Sequence, residues 1–328
     1  MASPTKTGQH ISFLGYGACA LASSLWGTGF YFGRLALNEM SVEHMVLYRF
    51  LFACLGVLPV LVTHWRSFRL TRSELRTLLT AAAFGIPIQF LLQFHGLART
   101  TVSHASLMVG AMPVLLAAAA SLFAGERLDI FGWLALAGST VGAALIVLGG
   151  THGAGTHGAG ARGQPTLIGD LLVVASLCTA LCWILLSKKL MLTHSPPVVT
   201  ACTILSGTTM LALWVLGHWE MGQLGWIERV PPPPVAHVSA TAWAALAASG
   251  LLCTAATTLL WNWGIHHVPA SRAGVFLNIE PALGSILGVE LLGEHLGPYA
   301  WMGGGLILAA AVTLTSRSHA PEPEVVLE

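Results

Sequence analysis

The chain has 328 residues, 55% of them hydrophobic and only 9% charged, with a formal net charge of +1 and a mean hydropathy of +0.73. A water-soluble domain carries roughly 25% charged residues, so water is not its main solvent, and so small a net charge gives no footprint for nucleic acid. The six cysteines all fall in apolar stretches, where they act as small fillers and imply neither a disulfide framework nor a metal site.

Crossing roughly 30 Å of hydrocarbon takes about 20 largely apolar residues in a helix, the fold that satisfies its own backbone N–H and C=O groups there. Residues 1–10 lack a cleavage pattern, so the first apolar stretch is expected to stay as a helix. Ten stretches follow: 11–34, 42–63, 75–94, 102–124, 130–149, 167–186, 198–216, 240–263, 273–292 and 300–315. Arg66, Arg69, Arg72 and Arg76 crowd the link after the second, and Lys188 and Lys189 close the sixth. With an even number of spans, the positive-inside rule puts both termini in the cytoplasm, as in a multi-pass protein of a cell's inner membrane. Arg34 and Arg49 then fall toward the outer interface, where Arg49 snorkels or holds a helix end.

Residues 150–166 repeat Thr-His-Gly-Ala-Gly from Thr151 and again from Thr156, a glycine-rich tether rather than a metal site on His152 and His157. The loop 217–238 contains Pro231 to Pro234 and reads as extended, and the polar tail 316–328 reads as disordered and cytoplasmic.

A shift of 168 residues lays the end of the third span through the start of the fifth on spans eight to ten. Gly96 falls on Gly264, Ser103 on Ser271, Pro113 on Pro281, Gly125 on Gly293, Glu126 on Glu294 and Trp133 on Trp301. Each copy holds five spans, an odd number, so the second enters the membrane from the opposite side. The expected fold is therefore all-α and integral to the membrane, with ten transmembrane helices as two inverted five-helix repeats, 11–149 and 167–315, around a central cavity.

Leu25-Trp26-Gly27, Arg49-Phe50, the two proline helices ending in Gly-Glu-x-Leu, and the run Trp261-Asn262-Trp263-Gly264 with Asn278-Ile279-Glu280-Pro281 resemble the drug/metabolite transporter superfamily, in its EamA-type branch. The resemblance runs from about Phe13 to Thr315 and implies a cavity lined by helices one, three, four, six, eight and nine. It also implies export of amino acids, metabolites or toxic compounds. His295 and Ala300 depart from the first copy's Arg127 and Gly132.

Glu280 is the acid to single out, because an ionised carboxylate inside a span must be paired, hydrated or protonated. It either binds substrate or couples a proton, or else satisfies backbone groups freed by Pro281. Its repeat partner is Met112. Gln89 and Gln93 share a helical face, with Thr257 and Trp261 as repeat partners and Asn262 beside them, while Asn278 precedes the acid. Trp26, Tyr31 and Trp183 supply aromatic surface for an apolar or cationic solute. Pro113, Pro281, Glu126 and Glu294 are expected at helix hinges and ends.

The chain contains no Walker A segment, H-E-x-x-H or nucleophile elbow, so ATP hydrolysis and the common intramembrane hydrolases are excluded. No Lys or Arg is placed deep, which disfavours phosphate-bearing substrates. Secondary transport of a small solute, with no cofactor, leads over a facilitative exchanger or channel-like permease and over an intramembrane enzyme. Oligomeric state, monomer or homodimer, stays open.

Overall fold

A computed structural model describes residues 6–64, 69–112, 114–115, 118–119, 130–152, 165–226, 237–267 and 274–317. These form ten helical rods without strands. They are α1 (Lys6–Leu37), α2 (Val42–His64), α3 (Arg72–Leu97), α4 (beginning as Val102–Val109), α5 (Ile130–His152), α6 (Leu167–Met191), α7 (Pro196–Gln223), α8 (residues 240–267), α9 (residues 274–292) and α10 (Pro298–Arg317). Among the described residues, five helices are long and apolar enough to cross a membrane, within α2, α3, α6, α7 and α8. Two shorter apolar helices lie within α5 and α10.

Three spans differ from uniform helices, each for a local reason. Within α3, Phe84–Ile88 winds as a π-turn around Pro87, whose ring removes an N–H and crowds the preceding carbonyl. In α8 a second π-turn, Leu251–Ala256, stands close to the same position under the 168-residue shift. There the Thr254 hydroxyl donates to Ser249 O at 3.1 Å, a reach of five residues. In α9 a 3-10 turn, Gly274–Asn278, precedes the α-helix Ile279–Leu292, so Glu280 lies in the first turn of an α-helix. The aligned peptide dipoles of that helix favour a negative charge at this position.

Equivalent glycines sit in equivalent contacts. A Cβ on Gly96 of α3 would stand 2.8 Å from Gly169 O of α6, and one on Gly264 of α8 would stand 3.0 Å from Gly15 O of α1. Only glycine lets each pair of backbones approach this closely. Gly27 of α1 meets α9 the same way, 2.8 Å from Glu280 O, and Gly284 and Gly288 of α9 press against Ser106 and Ser103 of α4.

The Gly-Glu helix end has a visible purpose in the second copy. Gly293 takes a left-handed conformation (φ 65°) that closes α9, and Glu294 turns across to the start of α4. Its carboxylate accepts from Val102 N and Ser103 N at 2.8 Å each and from Ser103 Oγ at 2.7 Å, satisfying amides that a helix start leaves open. Pro113 and Glu126 of the first copy lie outside the described residues, as do residues 153–164 of the tether. Nearby, Glu39 accepts from Ser239 N and Oγ at 2.6 Å, tying the α1–α2 loop to the start of α8. These bonds hold the Glu39 carboxyl below the usual carboxylate range, so the tie persists above the ordinary Glu pKa and is lost as pH falls through the lowered value.

Glu294→Ala would leave the Val102 and Ser103 amides unpaired, while the Ser103 hydroxyl keeps Ser285 O as an acceptor at 3.3 Å. It should cost about 1–2 kcal/mol, read as a lower melting temperature of the purified protein, with Glu294→Gln intermediate.

Candidate functional site

Where the two π-turns face each other the helices do not close, and a cavity of about 230 Å³ opens between them. Its wall is mostly aromatic and aliphatic, with Trp26, Phe30, Phe50, Phe90, Phe94 and Trp183 supplying the rings. Two charged residues share it: Arg49 of α2 and Glu280 of α9.

Arg49 is held rather than loose. Its Nε and Nη2 donate to Thr254 Oγ1 at 3.3 and 3.2 Å, so the π-turn in α8 that aims this hydroxyl supplies the acceptor. The guanidinium carbon stands 5.1 Å from the Phe90 ring centre and 5.3 Å from that of Phe94, within cation–π range. Phe90 is itself braced edge-on by Phe50 at 4.7 Å. These contacts occupy part of the guanidinium fork and leave Nη1 without a protein partner among the described residues. The Glu280 carboxylate makes neither a hydrogen bond nor an ion pair among the described residues, Arg49 included. A buried guanidinium and a half-buried carboxyl group thus share one wall, within electrostatic reach of each other but without a direct ion pair.

The placement of Arg49 corrects the sequence reading, which put it near the outer interface and left the deep helices without a cation. Arg49 is 6% exposed and lines the cavity. The signal was available in its position: it is the eighth residue of α2, flanked by Tyr48 and Phe50, and an ionisable residue inside an apolar span marks function by default.

Of the residues singled out from sequence, Trp26, Gln89, Gln93, Met112, Trp183 and Glu280 meet on this wall. The Gln89 Oε1 atom is buried without a partner. Tyr31, Thr257, Trp261, Asn262 and Asn278 do not line it. The Tyr31 ring lies 5.7 Å from that of Phe32. Trp261 stands behind Trp26, with ring centres 5.5 Å apart. Thr257 is fully buried and donates to Thr254 O within its own helix. On α8 Thr254 and Thr258 line the cavity instead of Thr257 and Trp261, although Gln89 and Gln93, their counterparts under the 168-residue shift, line it from α3. Asn262 buries an unpartnered Nδ2, and Asn278 ends the 3-10 turn. Trp263, in the same run, is exposed on the outside of the bundle.

Gly85, inside the first π-turn, is what admits Trp183. A Cβ there would stand 2.5 Å from the indole. Gly85→Val should therefore push Trp183 into the cavity and abolish thermal stabilisation by any bound solute, while the melting temperature of the empty protein falls by only a few degrees, in line with about 1–3 kcal/mol of overpacking.

Two segments, residues 13–148 and 167–316, each match the EamA-like transporter family. An uncharacterized transporter of Archaeoglobus fulgidus is 24% identical over 307 residues, 92% of this chain and 96% of its own length. The permease-like protein YdzE of Bacillus subtilis is 41% identical over 70 residues, 21% of this chain and 90% of its own. A solved crystal structure superposes with a TM-score of 0.60 at 17% identity, covering 93% of this chain and 98% of its own. Apolar helices of membrane length, a cavity among them and two matches to one family unit lead to one assignment: the chain is a multi-pass membrane protein of the EamA-like transporter family, within the drug/metabolite transporter superfamily.

Proposed function

We propose that this protein is a secondary active exporter of a small zwitterionic or cationic organic solute, an amino acid, metabolite or drug-like amine, working by alternating access. The observation that carries the reading is that Arg49 and Glu280 stand on one small, mostly apolar wall without a direct ion pair between them. A solute bearing an ammonium and a carboxylate can meet both, with its apolar part against Trp26 and Trp183. The volume of about 230 Å³ lies just below the usual range for small-molecule pockets and suits a solute of that size.

We read the ten rods as ten crossings in two inverted five-helix repeats, 11–149 and 167–315, with both termini cytoplasmic in an inner membrane. The twice-built glycine contacts and the paired π-turns support that reading. Two near-equivalent halves of opposite orientation can exchange conformations and open a midplane cavity to either side in turn. Export rather than uptake follows from the family resemblance.

Coupling follows from competition. If the ammonium of the solute and a proton both require the Glu280 carboxylate, each must leave before the other binds, and a proton gradient then drives the solute the opposite way. Arg49 serves the carboxylate end, and Gln89 offers an unpaired amide oxygen to an N–H of the solute.

The test is flux in liposomes under an imposed pH gradient, with amino acids and quaternary amines as solutes. Glu280→Gln should lose gradient-driven flux roughly tenfold or more, the cost of removing one partner of a buried charge contact. Arg49→Gln should do so for amino acids and spare purely cationic solutes. Flux that ignores both the gradient and Glu280→Gln would rule out coupling at this carboxylate.

A further inference from the structure

Away from the cavity, a second set of ionisable groups is buried where α1, α4, α6 and α9 converge, the outer end on the topology proposed above. Asp170, in the first turn of α6, is fully buried, and His104 of α4 is 3% exposed. Neither lines the cavity. Asp170 Oδ1 accepts from Thr100 Oγ1 at 2.5 Å. Asp170 Oδ2 and His104 Nδ1 face each other at 3.8 Å, and each is buried without a hydrogen-bond partner. That separation exceeds a hydrogen bond, and orphaned atoms on two adjacent buried ionisable groups are costly enough to require a reason.

The surroundings are otherwise stitched tightly. Arg34 of α1 donates to Thr100 O, and Glu294 caps the start of α4 and lies within electrostatic reach of Arg34. Thr166 N and Oγ1 both donate to Arg99 O, which fixes the start of α6 to the end of α3. The direct side-chain approach between α4 and α6 at this end is thus the one left without a hydrogen bond. Other charged or titratable groups at this end of the packed elements include the Glu43–His95 pair, 3.1 Å apart between α2 and α3, with Arg99 one turn beyond; His44, buried beside Glu43 with Nδ1 2.9 Å from Ser41 Oγ; Glu39 on the α1–α2 loop; Glu290 and His295 at the end of α9; and His218 and Glu220 late in α7. The described side chains of α5 bring none.

We propose that Asp170 and His104 form a proton-binding site, distinct from the cavity, and that the proton it takes fastens α4 to α6 and closes this end of the bundle. With the neutral ring protonated on Nε2, the lone pairs of Nδ1 and Oδ2 face across the gap and repel. One proton taken from the outer solution onto Nδ1 makes an imidazolium N–H that donates to Asp170 Oδ2, drawing the two helices together; its loss returns both atoms to the orphaned state. The closure it brings about serves the transport cycle proposed above, but proton binding itself needs no solute.

The experiment uses purified full-length protein without solute, its six native cysteines replaced by alanine, and spin labels at Ile168 on α6 and Tyr299 on α10, both exposed. The mean distance between the labels should shorten and its distribution narrow as pH falls from about 8 to about 5. Asp170→Asn and His104→Gln should each abolish that response, and Glu280→Gln should retain it. A distance that ignores pH in the unmutated residues, or a response that survives both variants, overturns the site. So does a response lost in Glu280→Gln, which would assign it to the cavity. Should Asp170→Asn not fold, His104→Gln makes the same prediction from the other half of the pair. A pH response that persists while liposome flux ignores the gradient would leave this site standing and bring down the coupling at Glu280.

Discussion

Helices in hydrocarbon gain little by hiding apolar side chains from lipid, so close backbone approach has to hold them. In this protein glycine provides it. Gly96 against α6 and Gly264 against α1 are the same contact built twice, and Gly27, Gly284 and Gly288 bring α1, α4 and α9 together near the acid. Once these seams fix the helices, the π-turns of α3 and α8 decide what remains open. A π-turn is too wide to nest in a groove cut for an α-helix, so the bundle packs tightly around its seams and leaves a cavity where Phe84–Ile88 and Leu251–Ala256 pass.

The same turns arrange the charges. Pro87 frees a carbonyl in α3, and the reach of Thr254 to Ser249 leaves its hydroxyl oxygen aimed at Arg49. Two phenyl faces and one hydroxyl let a guanidinium lie in an apolar interior without a counter-ion beside it. Glu280 reaches the opposite arrangement differently, from the first turn of an α-helix whose dipole favours its charge. One half of the molecule supplies the rings around the guanidinium and the other the helix start that carries the carboxyl group, so two matching units contribute unlike groups to one site.

Hydropathy and length locate the helical rods, because the requirement they express is one-dimensional: enough apolar residues in a row. The 168-residue register was also legible, since proline, glycine and glutamate at fixed offsets are not interchangeable apolar fillers. Gln89 and Gln93, four residues apart, need only a helical pitch to share a wall. What the sequence concealed was azimuth on α8: Thr254 and Thr258 line the wall where the repeat register pointed to Thr257 and Trp261, and no propensity marks a π-turn that lacks a proline. Arg49 was misplaced because hydropathy grades how deep a residue lies and not what surrounds it. Its acceptor is 205 residues away. Asp170 and His104 have no local signature either, being joined through packing alone.

That distance between Arg49 and Thr254 bears on how the protein is made. A chain synthesised from its N-terminus inserts α2 long before α8 exists, so the guanidinium enters the membrane with Phe90 and Phe94 arriving soon after and its hydroxyl acceptor arriving last. The first half must therefore tolerate a partly uncompensated cation, through water or the insertion machinery, until the second half docks. Assembly of the two halves completes the solvation of Arg49, and the charged site becomes a checkpoint that only a finished molecule satisfies.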